Sequence, residues 1–213
     1  MSSPEVSERG SERAERGSER AERGRLLDLA ADYVLEFGVS SATLRGLSRA
    51  LGSNNRMLLY YFGSKAGLLL EALRRAGLRF PGIAHLLDLI RDSEIPIADR
   101  LHDAWGILAD PELVAYHRLF FELFGVAAFD SEQYRPLLEG VANEWADETA
   151  RAIAETGVDA ELAETLGHEI VAAWRGFQMT LIGGGDRAVV DRAARHLTES
   201  IVATVQSAAR PIT

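Results

Sequence analysis

The segment 43–65, TLRGLSRALGSNNRMLLYYFGSK, constrains the fold more tightly than any other stretch of this chain. Leu44, Leu47 and Leu51 recur at i, i+3 and i+7 and therefore share one face of a short helix. Gly52 stops that helix, because glycine reaches left-handed backbone angles without a steric penalty. Asn54 is placed to cap a second helix through its side-chain oxygen. That helix runs from about Asn55 to Tyr61, with Leu58 and Phe62 turned back onto the first. The spacing matches a helix-turn-helix, whose second helix enters the DNA major groove.

The side chains on this unit have the matching chemistry. Arg45, Arg49, Arg56 and Lys65 are positive, and no acidic residue occurs between Phe37 and Glu71. Tyr60 and Tyr61 add hydroxyl donors, and Thr43 and Asn55 add uncharged ones. Phosphate contacts position such a domain, while long polar side chains at the start of the recognition helix read base edges. Four cations alone would describe an ordinary solvated face. Their placement on a helix–glycine turn–helix gives them a function.

These residues resemble the TetR family of bacterial transcriptional regulators. Gly38, Thr43, Arg45, Leu47, Gly52, Leu58, Tyr61, Phe62, Ser64 and Lys65 fall in register with the family pattern, closely over residues 25–75. The chain departs from that pattern at four positions. Leu59 stands where the family usually has a tyrosine on the DNA backbone, and Asn54 replaces a serine cap. Ser53 replaces a valine under the turn, and Gly46 replaces a common acidic residue. Together they point to an unusual operator or weaker binding. With positions at the helix starts, the resemblance implies that Arg45, Asn55 and Arg56 contact bases. Thr43, Tyr60, Tyr61 and Lys65 then hold phosphates.

Net charge of −9 looks wrong for a DNA-binding chain until it is divided along the sequence. Residues 1–24 carry −1, residues 25–79 carry +4 and residues 80–213 carry −12. A basic module joined to an acidic body orients itself on a polyanion. The first 24 residues repeat SERAERG twice, at 11–17 and 18–24. One alanine per heptad cannot form a coiled-coil seam, so residues 1–24 are expected to be a disordered Glu/Arg-rich arm. The interleaved glutamates argue against a groove-binding role for it. The arm is followed by a helix-turn-helix domain at 25–70 and a helical effector-binding and dimerisation domain at 71–213.

The fold class expected is all-α. The first folded helix spans about Arg25–Phe37, and a longer helix after Lys65 is ended by Pro81-Gly82. Further helices are expected at roughly 97–109, 111–128, 134–156, 160–182 and 187–208. Leu162, Leu166, Ile170, Ala173, Phe177 and Leu181 make one stripe, and Val190, Ala194, Leu197, Ile201 and Val205 another. In TetR-like proteins the corresponding pair builds a four-helix bundle across a two-fold axis, which implies a homodimer on a pseudo-palindromic operator. An aromatic-rich middle supplies an effector site for a small apolar or aromatic molecule, assigned to Trp105, His117, Phe121, Phe124, Trp174, Phe177 and Gln178.

Other classes have little to stand on. The chain has no cysteine, which removes disulfides and thiolate metal sites. No apolar run approaches the ~20 residues needed to span a bilayer, and a polar N-terminus is unlike a signal peptide; the expected location is the bacterial cytoplasm. No nucleophile elbow, Gly-rich cofactor loop or Glu-x-x-His pair is present, so neither catalysis nor a cofactor is expected. Asp99, His102 and Asp103 are the best metal candidates, and such residues in an acidic protein usually face solvent. The alternative reading is an all-helical small-molecule binding or interaction protein whose helix-turn-helix no longer reads DNA, supported by Leu59 and Gly46. Effector, operator, regulated genes and the sign of regulation are not encoded in any pattern here.

Overall fold

The computed structural model describes residues 4–40, 42–135 and 142–208. Ten α-helices occupy them: α1 (Pro4–Phe37), α2 (Leu44–Ala50), α3 (Asn55–Phe62), α4 (Lys65–Gly77), α5 (Pro81–Arg91), α6 (Ile97–Leu108), α7 (Val114–Phe129), α8 (Ala142–Ala154), α9 (Ala160–Ile182) and α10 (Arg187–Ala208). A 3-10 turn at Pro111–Leu113 precedes α7. Among the described residues no strand occurs, and no helix is long and apolar enough to cross a membrane. The chain divides into two compact units, residues 1–76 and 77–213.

The first unit is built on leucine and alanine. Leu26, Ala30, Ala31 and Val34 of α1, Leu47 of α2, Leu58 of α3 and Leu68, Leu69 and Leu73 of α4 are all buried. Each such leucine contributes about 1.5–3 kcal/mol relative to an exposed one. Ion pairs lie at the edge of this core. Arg75 reaches Asp28 with Nε at 2.6 Å and Nη2 at 2.9 Å, tying α4 to α1. Gly67 is required by close approach, since a Cβ there would collide with the Phe62 carbonyl oxygen.

Two expectations fail in this region. The expected disordered arm at 1–24 is helical from Pro4 onward and continuous with the first folded helix. Apolar content misleads there because a helix needs no buried seam where Glu and Arg three or four residues apart support it. Arg25 and Glu22, for example, pair at 2.7 Å. Pro81-Gly82 was expected to end a helix, yet α4 ends at Gly77 and Pro81 opens α5 at its first position. Proline suits that position because its missing N–H has no intrahelical partner. Residues 81–91, where no helix was assigned from the sequence, form α5 and carry Leu86 and Ile90 into the core.

The second unit packs α8 on α9 most extensively, with α5, α6 and α10 completing one apolar cluster. Gly167 permits the α8–α9 contact, because a Cβ there would lie 2.6 Å from the Ala150 backbone nitrogen. Helices α9 and α10 match the expected 160–182 and 187–208. Pro136 and residues 136–141 of the helix expected at 134–156 lie outside the described residues. The two apolar stripes, however, serve the chain's own interior. Leu166, Ile170, Val190, Ala194, Ile201 and Val205 all sit in the cluster. An apolar stripe states that a face is buried and leaves its partner unspecified. Here α8, α6 and the facing surfaces of α9 and α10 supply it.

Candidate nucleic-acid interface and ligand cavity

Helix α2 starts at Thr43, whose backbone is extended and whose hydroxyl oxygen accepts from the Gly46 N–H at 3.0 Å. A Cβ on residue 46 would lie 3.1 Å from that oxygen, tighter than ordinary contact. Glycine at 46 therefore leaves the cap its room. Gly52 turns the chain at φ +63°, and the Ser53 N–H is taken up by the Ser48 carbonyl at 2.8 Å. Asn54 then caps α3, its Oδ1 accepting from the Met57 N–H at 3.0 Å. Each cap contributes about 1 kcal/mol and fixes the angle at which α3 departs.

Leu58 and Phe62 point α3 inward and are buried. The opposite face carries Asn55, Arg56, Leu59 and Tyr60, all exposed. Thr43, Arg45 and Arg49 are exposed as well, while Tyr61 and Lys65 are half-buried. Asn55 and Arg56 occupy the first two positions of α3, and Arg45 the second position of α2. A helix presented this way offers two long polar side chains at its leading end, where a major-groove reader uses them. Ser64 caps α4 by accepting from the Gly67 N–H at 2.9 Å, so Lys65 stands at that helix's first position.

Two residues at this face escape a reading from sequence. The Tyr60 hydroxyl donates to Glu19 Oε1 at 2.6 Å, and that carboxylate holds the phenol above its ordinary range. Arg23 reaches Glu71 Oε1 at 2.7 Å and donates from Nε to the Tyr61 carbonyl at 3.3 Å. Its guanidinium also lies 5.0 Å from the Phe62 ring centroid. Both come from the stretch expected to be disordered. The available signal was Glu71, the first acid after a long basic run. Tyr60, expected on phosphate, is thus occupied by a residue of its own chain.

The second unit holds a small cavity of about 50 Å³ lined by Leu108, Tyr116, His117, Phe120, Trp145, Val171, Trp174, Arg175 and Gln178. His117 and Gln178 are both buried, and the Gln178 amide donates to His117 Nε2 at 3.3 Å. The imidazole is therefore neutral with its proton on Nδ1, and burial pushes its pKa down to about 4. Burial also raises the Tyr116 phenol to about 12 and lowers the Arg175 guanidinium from its ordinary value. The same His117–Gln178 pair lines an adjoining cavity with Val114, Leu181 and Ile182.

Of the seven residues expected at an effector site, His117, Trp174 and Gln178 line this cavity. Trp105, Phe121, Phe124 and Phe177 do not. Trp105 is committed elsewhere: its indole donates to Asp191 Oδ1 at 3.1 Å, and Phe177 meets its ring edge-on at 5.6 Å. Phe121 and Phe124 flank Phe120 on α7 at 5.2 Å and 4.7 Å. Tyr116, Phe120, Trp145 and Arg175 were missed. Helical spacing from His117 and Gln178 could have found Phe120 and Arg175, three residues away on the same helices. Trp145 depends on how α8 packs, which no local pattern encodes.

No protein-family model and no curated protein matches the chain in sequence. Solved structures match it in shape. A protein from Rhodococcus sp. assigned to the TetR-family transcriptional regulators superposes with a TM-score of 0.67 at 18% identity, covering 85% of this chain and 98% of its own. A protein from Saccharomonospora viridis assigned as a transcriptional regulator, in complex with choline, gives 0.59 at 23% identity over 84% of this chain and 95% of its own. The multidrug-binding protein EbrR, complexed with ethidium, gives 0.59 at 22% identity over 83% and 97%. The chain has the all-α fold of the TetR-family transcriptional regulators.

Proposed function

We propose that this chain is a ligand-responsive transcriptional repressor that binds a pseudo-palindromic DNA operator as a homodimer. The observation that carries the reading is the doubly capped helix-turn-helix, with Arg45, Asn55 and Arg56 exposed at the helix starts. Arg45, Asn55 and Arg56 read bases; Thr43, Tyr61 and Lys65 hold phosphates, and Tyr60 joins them once it leaves Glu19. The fold's kinship with transcriptional regulators supports this. A cavity in the second unit, and relatives in shape that carry choline and ethidium, support a small-molecule effector. The effector is an apolar or aromatic compound held by Tyr116, His117, Phe120, Trp145, Trp174 and Gln178.

The dimer forms through the outer faces of α9 and α10, since their inner stripes are used within the chain. Ala172, Gly176 and Met179 on α9 and Val189, Ala193 and His196 on α10 repeat at helical spacing and are exposed. Met179 and Val189 are 50% and 51% exposed. Two-fold pairing sets the recognition helices about 34–36 Å apart, or a multiple of that. Ligand must prefer the state in which those helices are misplaced. A coupling of about 1–3 kcal/mol would release DNA roughly 5–150-fold.

Footprinting on DNA upstream of the chain's own gene tests this reading. Protection of two inverted half-sites one helical turn apart, by a species that sediments as a dimer, is the expected result. A folded protein that protects no operator would instead favour the small-molecule binding alternative.

A further inference from the structure

The stretch between Phe37 and Glu71 carries no acid, yet the fold brings one to its exposed face from another helix. Glu19 of α1 accepts from the Tyr60 hydroxyl at 2.6 Å. Tyr60 is 66% exposed and lies one turn after Arg56 on the outer face of α3. The position of Glu19 is set by the next turn of α1. There Arg23 reaches Glu71 Oε1 at 2.7 Å, donates to the Tyr61 carbonyl at 3.3 Å and lies over the Phe62 ring. Arg23 and the buried Leu26 stand at i+4 and i+7 from Glu19, so all three share the side of α1 that faces this module.

A phenol has a single O–H to donate. The proton that Glu19 takes is the one a DNA phosphate would take, so the two contacts exclude each other. Both acceptors are anions, and a phosphate arriving at Tyr60 also meets the repulsion of the carboxylate. We propose that Glu19 is an intramolecular stand-in for a DNA phosphate, which occupies Tyr60 in the free protein and restrains DNA binding. The inference rests on the reading of Tyr60 as a phosphate contact. Phosphates carry no sequence information of their own, so the restraint acts on all DNA sequences alike and leaves base preference untouched.

The test titrates full-length protein with two labelled duplexes of about three helical turns. One is taken from upstream of the chain's own gene, and the other is its scrambled sequence, used at low salt where phosphate contacts dominate. Glu19→Ala should bind both duplexes about three- to tenfold more tightly. Glu19→Gln offers a neutral and weaker acceptor and should fall between. In a Tyr60→Phe background neither contact can form, and Glu19→Ala should then tighten binding by no more than about twofold. Both side chains are exposed, so none of these changes disturbs the core. A gain that persists undiminished in Tyr60→Phe would make Glu19 a general repulsive charge and overturn the competition. Unchanged or weaker binding by Glu19→Ala overturns it too, while the DNA-binding reading stands. If neither wild type nor variants bind either duplex at low salt, that reading falls, and the inference with it.

Discussion

The two units of this molecule differ in how far apart in sequence their decisive contacts lie. In the helix-turn-helix, Thr43 caps through Gly46 and Asn54 through Met57, each three residues away. In the second unit, Trp105 meets Asp191 and His117 meets Gln178, far along the chain. The helix-turn-helix is specified by local geometry, with the side chains proposed to read DNA left outside. The body is specified by long-range packing, with its functional side chains inside. Damage should therefore read differently in the two: substitutions in the first unit should alter binding, and substitutions in the second should alter folding.

The hardest test of that contrast is Ile201→Glu. Its side chain is 2% exposed within the intrachain cluster, and an unpaired buried carboxylate should cost more than about 4 kcal/mol. The thermal transition of the body should be lost in calorimetry. Val189→Glu, 51% exposed on the outer face of the same helix, should leave a folded protein that sediments as a monomer. If both variants merely dissociated, Ile201 would belong to a subunit interface and the interior assignment would be wrong.

On the DNA side, Arg56→Ala should cost about 1–3 kcal/mol of operator affinity and relax specificity at one base pair. Lys65→Ala should weaken all sequences alike and reduce the salt slope by about one. Neither should shift the melting temperature by more than a degree or two. Uniform loss across operator variants for Arg56→Ala would remove its base-reading role.

Smaller effects refine the picture. Asn54→Ala should lower the first unit's stability by about 1 kcal/mol through loss of the cap, read as earlier hydrogen exchange in α3. His117 supplies a pH signature of burial. Its folded pKa, about 4, lies below the ordinary 6.5, so between those values the unfolded chain binds the extra proton. Stability from this group is full above pH 6.5 and is lost as pH falls toward 4, with a slope approaching about one proton. His117→Gln should flatten that slope in urea midpoints measured from pH 7 to 4.5; an unchanged slope would show that the ring is solvated.

The same difference in range explains what the sequence revealed. Gly52, Asn54 and the leucine spacing announce the turn and both caps because each acts on its immediate neighbours. The helices at 160–182 and 187–208 were legible from periodicity alone. Their partners were not, since Ile170 and Val190 show only that their faces are covered. Pro81 was read as a stop because proline ends one helix and begins another with equal ease. Trp145 and Trp174 come together through packing of α8 on α9, and no spacing rule joins them. The arm went wrong for another reason: charge pairing along one helix leaves no apolar trace.

That arm has a geometric consequence. A helix repeating every seven residues places successive copies about 10.5 Å apart along its axis and turned by roughly 20°. Arg23 and its copy Arg16 are chemically identical, yet only one stands at the height of Phe62 and Glu71. The duplicated heptad thus behaves as a graduated rod whose second mark is held by Phe62 and Glu71. Gaining or losing a SERAERG unit upstream changes its reach by a fixed step while the clamp stays where it is.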